Sequence, residues 1–152
     1  MPRNPRKARR IVVDGDAYTR SVRHSHSRPG GPDRDCCETL TVHLTGARGH
    51  LRIVFREGPG RLVPTGYPMV SGEVSFTTSE SLYLHEPGTV RALMEEARAL
   101  GWRPDGPSGM EIDGWTLFEA VLRRRTADSS RPPAPQGDSV TSPGRGSLGP
   151  GG

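Results

Sequence analysis

The sequence predicts an α+β domain in which a five- or six-stranded, mostly antiparallel sheet packs against two helices, over residues 87–100 and 114–124. Three observations lead there. Short β-branched or alternating segments fill the chain from Ile11 to Leu84, one helical stripe runs from Val90 to Leu100, and a second runs from Trp115 to Leu122. Strands first and helices after is the order of an α+β chain, rather than of βαβ units around a parallel sheet.

The elements follow in chain order. Ile11-Val12-Val13 is β-branched, Asp14-Gly15 is a two-residue turn signal, and Tyr18 to Val22 resumes a strand pattern, so residues 11–24 read as a hairpin. Residues 27–35, rich in Pro, Gly and Asp, read as a loop. Leu40, Val42 and Leu44 alternate with Thr41, His43 and Thr45. The chain then turns over Gly46 to Gly49 and returns from Leu51 to Phe55 as a second hairpin. Residues 57–68 hold several Gly and Pro and form an irregular connection. Val70, Gly72, Val74 and Phe76 share a strand face, and after a turn over Thr77 to Glu80, Leu82 and Leu84 face away from Tyr83 and His85.

The helices are marked at both ends. Val90, Leu93, Met94, Ala97 and Leu100 repeat at helical spacing. Pro87 suits a first turn, where its missing N–H has no partner to lose, while Gly101 suits the C-terminal cap and Pro104 stops continuation. After a loop over residues 102–109, Trp115, Phe118, Val121 and Leu122 form the second stripe. Asp113 serves as its N-cap, and Arg123 to Arg125 lie where the helix dipole favours positive charge.

The stretches Leu51-Arg-Ile-Val-Phe-Arg-Glu-Gly-Pro-Gly60, Leu82-Tyr-Leu-His-Glu-Pro-Gly-Thr-Val90 and Ala99-Leu-Gly-Trp-Arg-Pro104 carry a resemblance. Over roughly residues 9–122 the chain resembles small uncharacterised bacterial proteins in which a β-hairpin region precedes a Pro-capped helix ending in Gly-Trp-x-Pro. Their Tyr-x-Trp pattern in the first hairpin is absent here, since Thr19 and Arg20 follow Tyr18. The resemblance implies the same fold and no activity. Gly101-Trp102-x-Pro104 is then a helix stop with an aromatic lid on the sheet.

Charge divides the chain into three parts. Residues 1–10 hold Arg3, Arg6, Lys7, Arg9 and Arg10 and no acid, whereas residues 11–127 are close to neutral. The expected organisation is a disordered basic arm over 1–10, one domain over 11–125, and a disordered Gly/Pro/Ser-rich tail over 126–152. Lys7 is the single lysine, which removes Schiff-base and phosphate-loop lysine chemistry from the fold. Gly58-Pro59-Gly60 cannot act as a phosphate cradle, because Pro59 has no N–H to offer. The adjacent Cys36 and Cys37 do not form a secreted-type disulfide framework, and no apolar run is long enough for a signal or membrane segment. A cytoplasmic protein, with no membrane attachment, is the expectation.

Two sets of residues are candidate sites. His24, His26, Cys36 and Cys37 bring together ligand types that hold zinc, the one cofactor the sequence suggests. Adjacent cysteines reach a single tetrahedral ion with difficulty, so the plainer account is surface histidines and semi-buried thiols. A Cys–His nucleophile would draw on Cys36 or Cys37 with His24 or His43, but no helix N-terminus follows to activate the thiol. The second set is Arg3, Arg6, Lys7, Arg9 and Arg10, an arm that would attract nucleic acid at modest salt. Acid pairs at Asp14/Asp16, Asp33/Asp35, Glu95/Glu96 and Glu111/Asp113 each sit where a turn, loop, solvent face or cap explains them. Pro132-Pro133-Ala134-Pro135 has polyproline spacing, as a Pro-rich tail acquires by composition.

No residue is assigned a catalytic role. The favoured function is a non-enzymatic accessory or interaction protein acting through protein contacts, on the open sheet face or the 57–68 loop. The alternatives are a non-specific nucleic-acid-associated protein using the arm, and a small zinc- or thiol-dependent enzyme.

Overall fold

A computed structural model describes residues 8–26, 36–64, 71–76 and 80–130. Arg3, Arg6, Lys7, the 27–35 loop and the 132–135 proline stretch lie outside the described residues. Asp14 and Gly15 adopt positive φ, 52° and 88°, the left-handed pair whose twist matches a two-residue hairpin. They fold Arg9–Val13 (β1) back on Asp16–His26 (β2), with Val13 opposite Asp16 and Arg9 opposite Arg20. Cys36–Leu44 (β3) pairs antiparallel with β2, from Tyr18 opposite Leu44 to His26 opposite Cys36. Leu51–Arg56 (β4) continues the meander.

The chain then leaves this sheet. Arg61–Leu62 (β5), Glu73–Phe76 (β6) and Ser81–Tyr83 (β7) form a separate three-stranded antiparallel sheet. Helix Pro87–Ala99 (α1) follows, with Pro87 in its first turn as the sequence predicts. Gly101, at φ 106°, closes its end and lets the Trp102 N–H donate to the Ala97 carbonyl at 3.0 Å. Met110–Asp113 (β8) returns beside β4, and Trp115–Ser130 (α2) completes the described fold. The larger sheet has the order β1-β2-β3-β4-β8.

The class is α+β with mostly antiparallel strands, and three details depart from the sequence reading. The strands divide into sheets of five and three instead of making one. Strand β8 is parallel to β4, with Ile53 opposite Ile112, because the connection through β5–β7 and α1 brings the chain back in the same direction. Helix α2 continues past residue 124 to Ser130. The hydroxyls of Thr126, Ser129 and Ser130 donate to carbonyls four residues back, and Pro132 and Pro133 follow in the sequence.

Alternation sorts the larger sheet into two faces. Ile11, Val13, Tyr18, Leu40, Val42, Leu51, Ile53 and Phe55 point into the core beneath the helices. They meet Val90, Leu93, Met94 and Ala97 of α1 and Trp115, Phe118 and Val121 of α2. Phe55, Phe76, Trp115 and Phe118 form one aromatic cluster, with ring centroids as close as 4.6 Å for Phe76 and Phe118. The Trp115 indole N–H, buried with its ring, donates to the Arg56 carbonyl at 2.8 Å. Asp113 caps α2 through a 3.1 Å bond to the Trp115 N–H, as its position predicts. Trp102 covers Tyr18 at 6.4 Å, the lid the sequence suggests.

Candidate functional site

Strand β2 carries polar side chains at inward positions. Along its core-facing side stand Tyr18, Arg20, Val22 and His24, so two ionisable groups share the phase of the core residues. The buried charges on this side, Glu38 and Arg20, are handled differently. Glu38 of β3 is 1 % exposed, and its carboxylate meets the His24 Nδ1 at 2.5 Å across the strand pair. A buried carboxylate with a histidine partner is compensated.

Arg20 has no such acid. It is 7 % exposed, and its Nη1 donates to the His85 carbonyl at 2.8 Å. Its Nε has no hydrogen-bond partner, and no carboxylate among the described residues pairs with it. Glu38 stands on β3 opposite His24, four residues along from Arg20, about 13 Å away at ~3.3 Å per strand residue. What Arg20 does have beside it is another cation. Arg9 is its direct cross-strand partner, on the same face of the sheet, and like charges directly opposite destabilise a strand pair.

Arg9, Arg20, Ser21, Val22 and His85 line a cleft of about 180 Å³. It lies at the end of the β1–β2 ladder, where Arg9 opposite Arg20 is the last pair in register. His85 comes from the turn before α1. Its ring lies against Gly72, where a Cβ would stand 2.5 Å from the His85 Cδ2, and where φ is 82°. Glycine therefore allows the imidazole to reach the cleft. The Ser71 hydroxyl is 3.3 Å from the His85 Nε2. Burial, then the charges of Arg9 and Arg20, hold the His85 pKa below the ordinary histidine value. Burial and Arg9 likewise lower that of Arg20, though a guanidinium remains charged.

The cleft thus presents two arginines and an imidazole, with no acid among the described residues that line it. Residues 1–8, which precede Arg9, contain neither Asp nor Glu, and Glu86, next to His85, meets Arg125 at 2.9 Å. By contrast, the hollow along α2 is lined by charges of both signs, Glu80, Glu119 and Arg123. An uncompensated cation pair in a concave, partly dry site favours an anion.

The residues proposed from sequence fall differently. His24 and Cys36 lie on the core-facing side of the sheet, and the backbone of His26 pairs with that of Cys36. Cys37, next in the strand, faces the other way, where its sulfur lies 2.9 Å from the Ser25 hydroxyl. The two cysteines therefore diverge. Among the described residues no group of three or more His, Cys, Asp or Glu side chains is placed to hold a metal ion. Of the basic arm, Arg9 reaches the cleft, while Arg10 pairs opposite Thr19 on the opposite face of β1. Sequence reasoning assigns no site role to Arg20, His85 or Glu38. The available signal is Arg20 itself, an arginine between Tyr18 and Val22 at the inward phase of a strand.

No family model, curated protein or solved structure matches this chain.

Proposed function

We propose that this chain is a non-enzymatic accessory protein that takes hold of its partner through an anionic group seated in the Arg9–Arg20–His85 cleft. The observation that supports it is the buried Arg20 guanidinium, which has a second arginine opposite and no described carboxylate to neutralise it. A bound anion supplies the missing counter-charge and relieves the repulsion between the arginines. Oxyanions fit the planar guanidinium fork best. No helix among the described residues is long and apolar enough to cross a membrane. In this reading the protein works in the cytoplasm, where thiols such as that of Cys37 stay reduced.

Calorimetric titration with sulfate tests the proposal. Saturable one-to-one binding by the native chain, lost in Arg20→Gln, supports it. Equal binding by both, or none by the native chain in low-salt buffer, refutes it.

One observation favours the zinc- or thiol-dependent reading, namely the His24–Glu38 contact on the strand pair that also carries Cys36. Carboxylate-oriented histidines are common metal ligands. Elemental analysis of the purified protein decides it. Stoichiometric zinc that His24→Ala releases would establish this reading, and a metal-free folded protein would end it.

A further inference from the structure

Ser71 stands beside the cleft without lining it. It is exposed in the turn that precedes β6, and its hydroxyl lies 3.3 Å from the His85 Nε2. The same imidazole lines the cleft, close enough to Arg9 and Arg20 for both charges to lower its proton affinity. A hydroxyl open to solvent is thus one hydrogen bond away from a ring that sits in the field of two guanidinium groups.

The local backbone holds this arrangement. Gly72, at φ 82°, turns the chain directly after Ser71, and its lack of a Cβ lets the His85 ring close against the backbone. The Leu84 N–H donates to the Gly72 carbonyl at 2.8 Å, which ties the turn to the residue before His85. Glu73, the nearest acid to Ser71 in sequence, leans away from it. Its carboxylate accepts a 3.2 Å bond from the Ser81 hydroxyl, and Ser81 is opposite Ser75, further along β6. Negative charge built onto Ser71 would therefore face cations.

Phosphorylation gives a serine hydroxyl such charge, adding close to two negative charges and three strong acceptor oxygens. Resting on the anion-binding reading above, we infer that Ser71 is a phosphorylation site whose phosphate sits against His85 at the Arg9–Arg20 cleft and closes it to the partner's anion. A kinase transfers the γ-phosphoryl group of a nucleoside triphosphate. The bond to the departing diphosphate breaks, a P–O bond to the Ser71 Oγ forms, and the hydroxyl proton leaves to solvent. The phosphate oxygens accept from the His85 ring and the guanidinium groups beside it. A group tethered at such short range competes at an effective concentration of roughly millimolar order or above. The partner's anion is then displaced without any rearrangement of the fold.

The test compares the full chain with and without phosphate on Ser71, the modified serine being installed during synthesis. Calorimetric titration with sulfate is expected to show affinity lowered about tenfold or more in the phosphorylated chain. Phosphorus NMR across pH reads the tethered group itself. Its second ionisation, near pH ~6 for an unperturbed phosphoserine, is expected about one unit lower in the otherwise native chain. In Arg20→Gln it should return towards ~6. Phosphopeptide mapping of the protein from its own cells is expected to find phosphate on Ser71.

These arms separate the inference from the reading beneath it. If sulfate binds both forms equally, or the phosphate titrates alike with and without Arg20, the inference is overturned while the anion site stands. A Ser71 peptide that carries no phosphate under every growth condition sampled overturns it in the same way. If the unmodified chain binds no sulfate but the phosphate shows the Arg20-dependent shift, the partner reading fails and the phosphate site stands. If neither is seen, both fail.

Discussion

Replacing Arg20 by methionine should leave the isolated protein as stable as the native chain or more so, and should abolish its response to anions. Methionine keeps an unbranched side chain of similar reach. Arg20 is 7 % exposed, and its guanidinium has one hydrogen bond to the His85 carbonyl and an unpartnered Nε. Desolvating an unpaired ion costs several kcal/mol, even after local relaxation. The substitution removes that cost together with ~0.5 kcal/mol of repulsion from Arg9. Against this stands the loss of one charge-assisted hydrogen bond, about 1.5–3 kcal/mol. The balance is about 1 kcal/mol in favour of the variant, or ~4 °C in melting temperature for a domain of this size. Sulfate at ten times its Kd stabilises only the native chain, by ~1.4 kcal/mol, so the native melting curve draws level with that of the variant and then passes it as sulfate is added. Urea unfolding at low ionic strength measures both states. If Arg20→Met loses more than about 1 kcal/mol without sulfate, the guanidinium is compensated in the native chain and the reasoning fails. Sulfate stabilisation that persists in the variant would refute it equally.

Three further outcomes follow from the same geometry. Because His85 has a folded pKa below its unfolded value, the unfolded state takes up the proton first. Stability without anion is therefore full above about pH 6.5 and declines as pH falls through that value. Sulfate affinity runs the other way, rising as pH falls, since the bound anion favours imidazolium and the charge of sulfate is constant there; urea unfolding in sulfate-free buffer measures the first trend and calorimetric titration the second. Gly72→Ala should destabilise by about 1–3 kcal/mol in thermal unfolding, since φ at Gly72 is 82° and the new methyl would collide with the His85 ring. In the native protein Cys37 should react with iodoacetamide well before Cys36, which is 0 % exposed. Mass spectrometry of the singly labelled peptide reads the order, and prior labelling of Cys36 would contradict the strand register.

The local signals were legible because they are local. Asp14-Gly15 needs only two left-handed residues to set the first hairpin, and Pro87 with Gly101 marks α1 at both ends whatever surrounds it. Strand β8 was not legible. Met110-Glu111-Ile112-Asp113 offers only two alternating apolar residues, and it is a strand because Leu51 to Val54 present a free parallel edge more than fifty residues away in sequence. The division into two sheets is equally non-local, as β5 is two residues long and exists through its pairing with Ser75 and Phe76. The divergence of Cys36 and Cys37 follows from strand alternation once β3 is known to begin at Cys36; placed before the strand, the two had no faces to occupy. The cleft needed tertiary structure outright. Arg9 and Arg20 are paired by the hairpin, but His85 joins them from more than sixty residues away, and only the structure shows that no described acid accompanies them.

Whether Arg20 holds an anion decides the function proposed for this chain, and the Arg20 Nε–H can report it directly. Arginine side-chain NMR of the full chain, titrated with sulfate at low ionic strength, follows that signal, assigned by its disappearance in Arg20→Gln. The prediction is a saturable shift of the Arg20 Nε–H, with slowed solvent exchange, at a sulfate concentration that leaves Arg52 and Arg123 nearly unmoved. Uniform small shifts across all the arginines, with Arg20 no different from the rest, would contradict it.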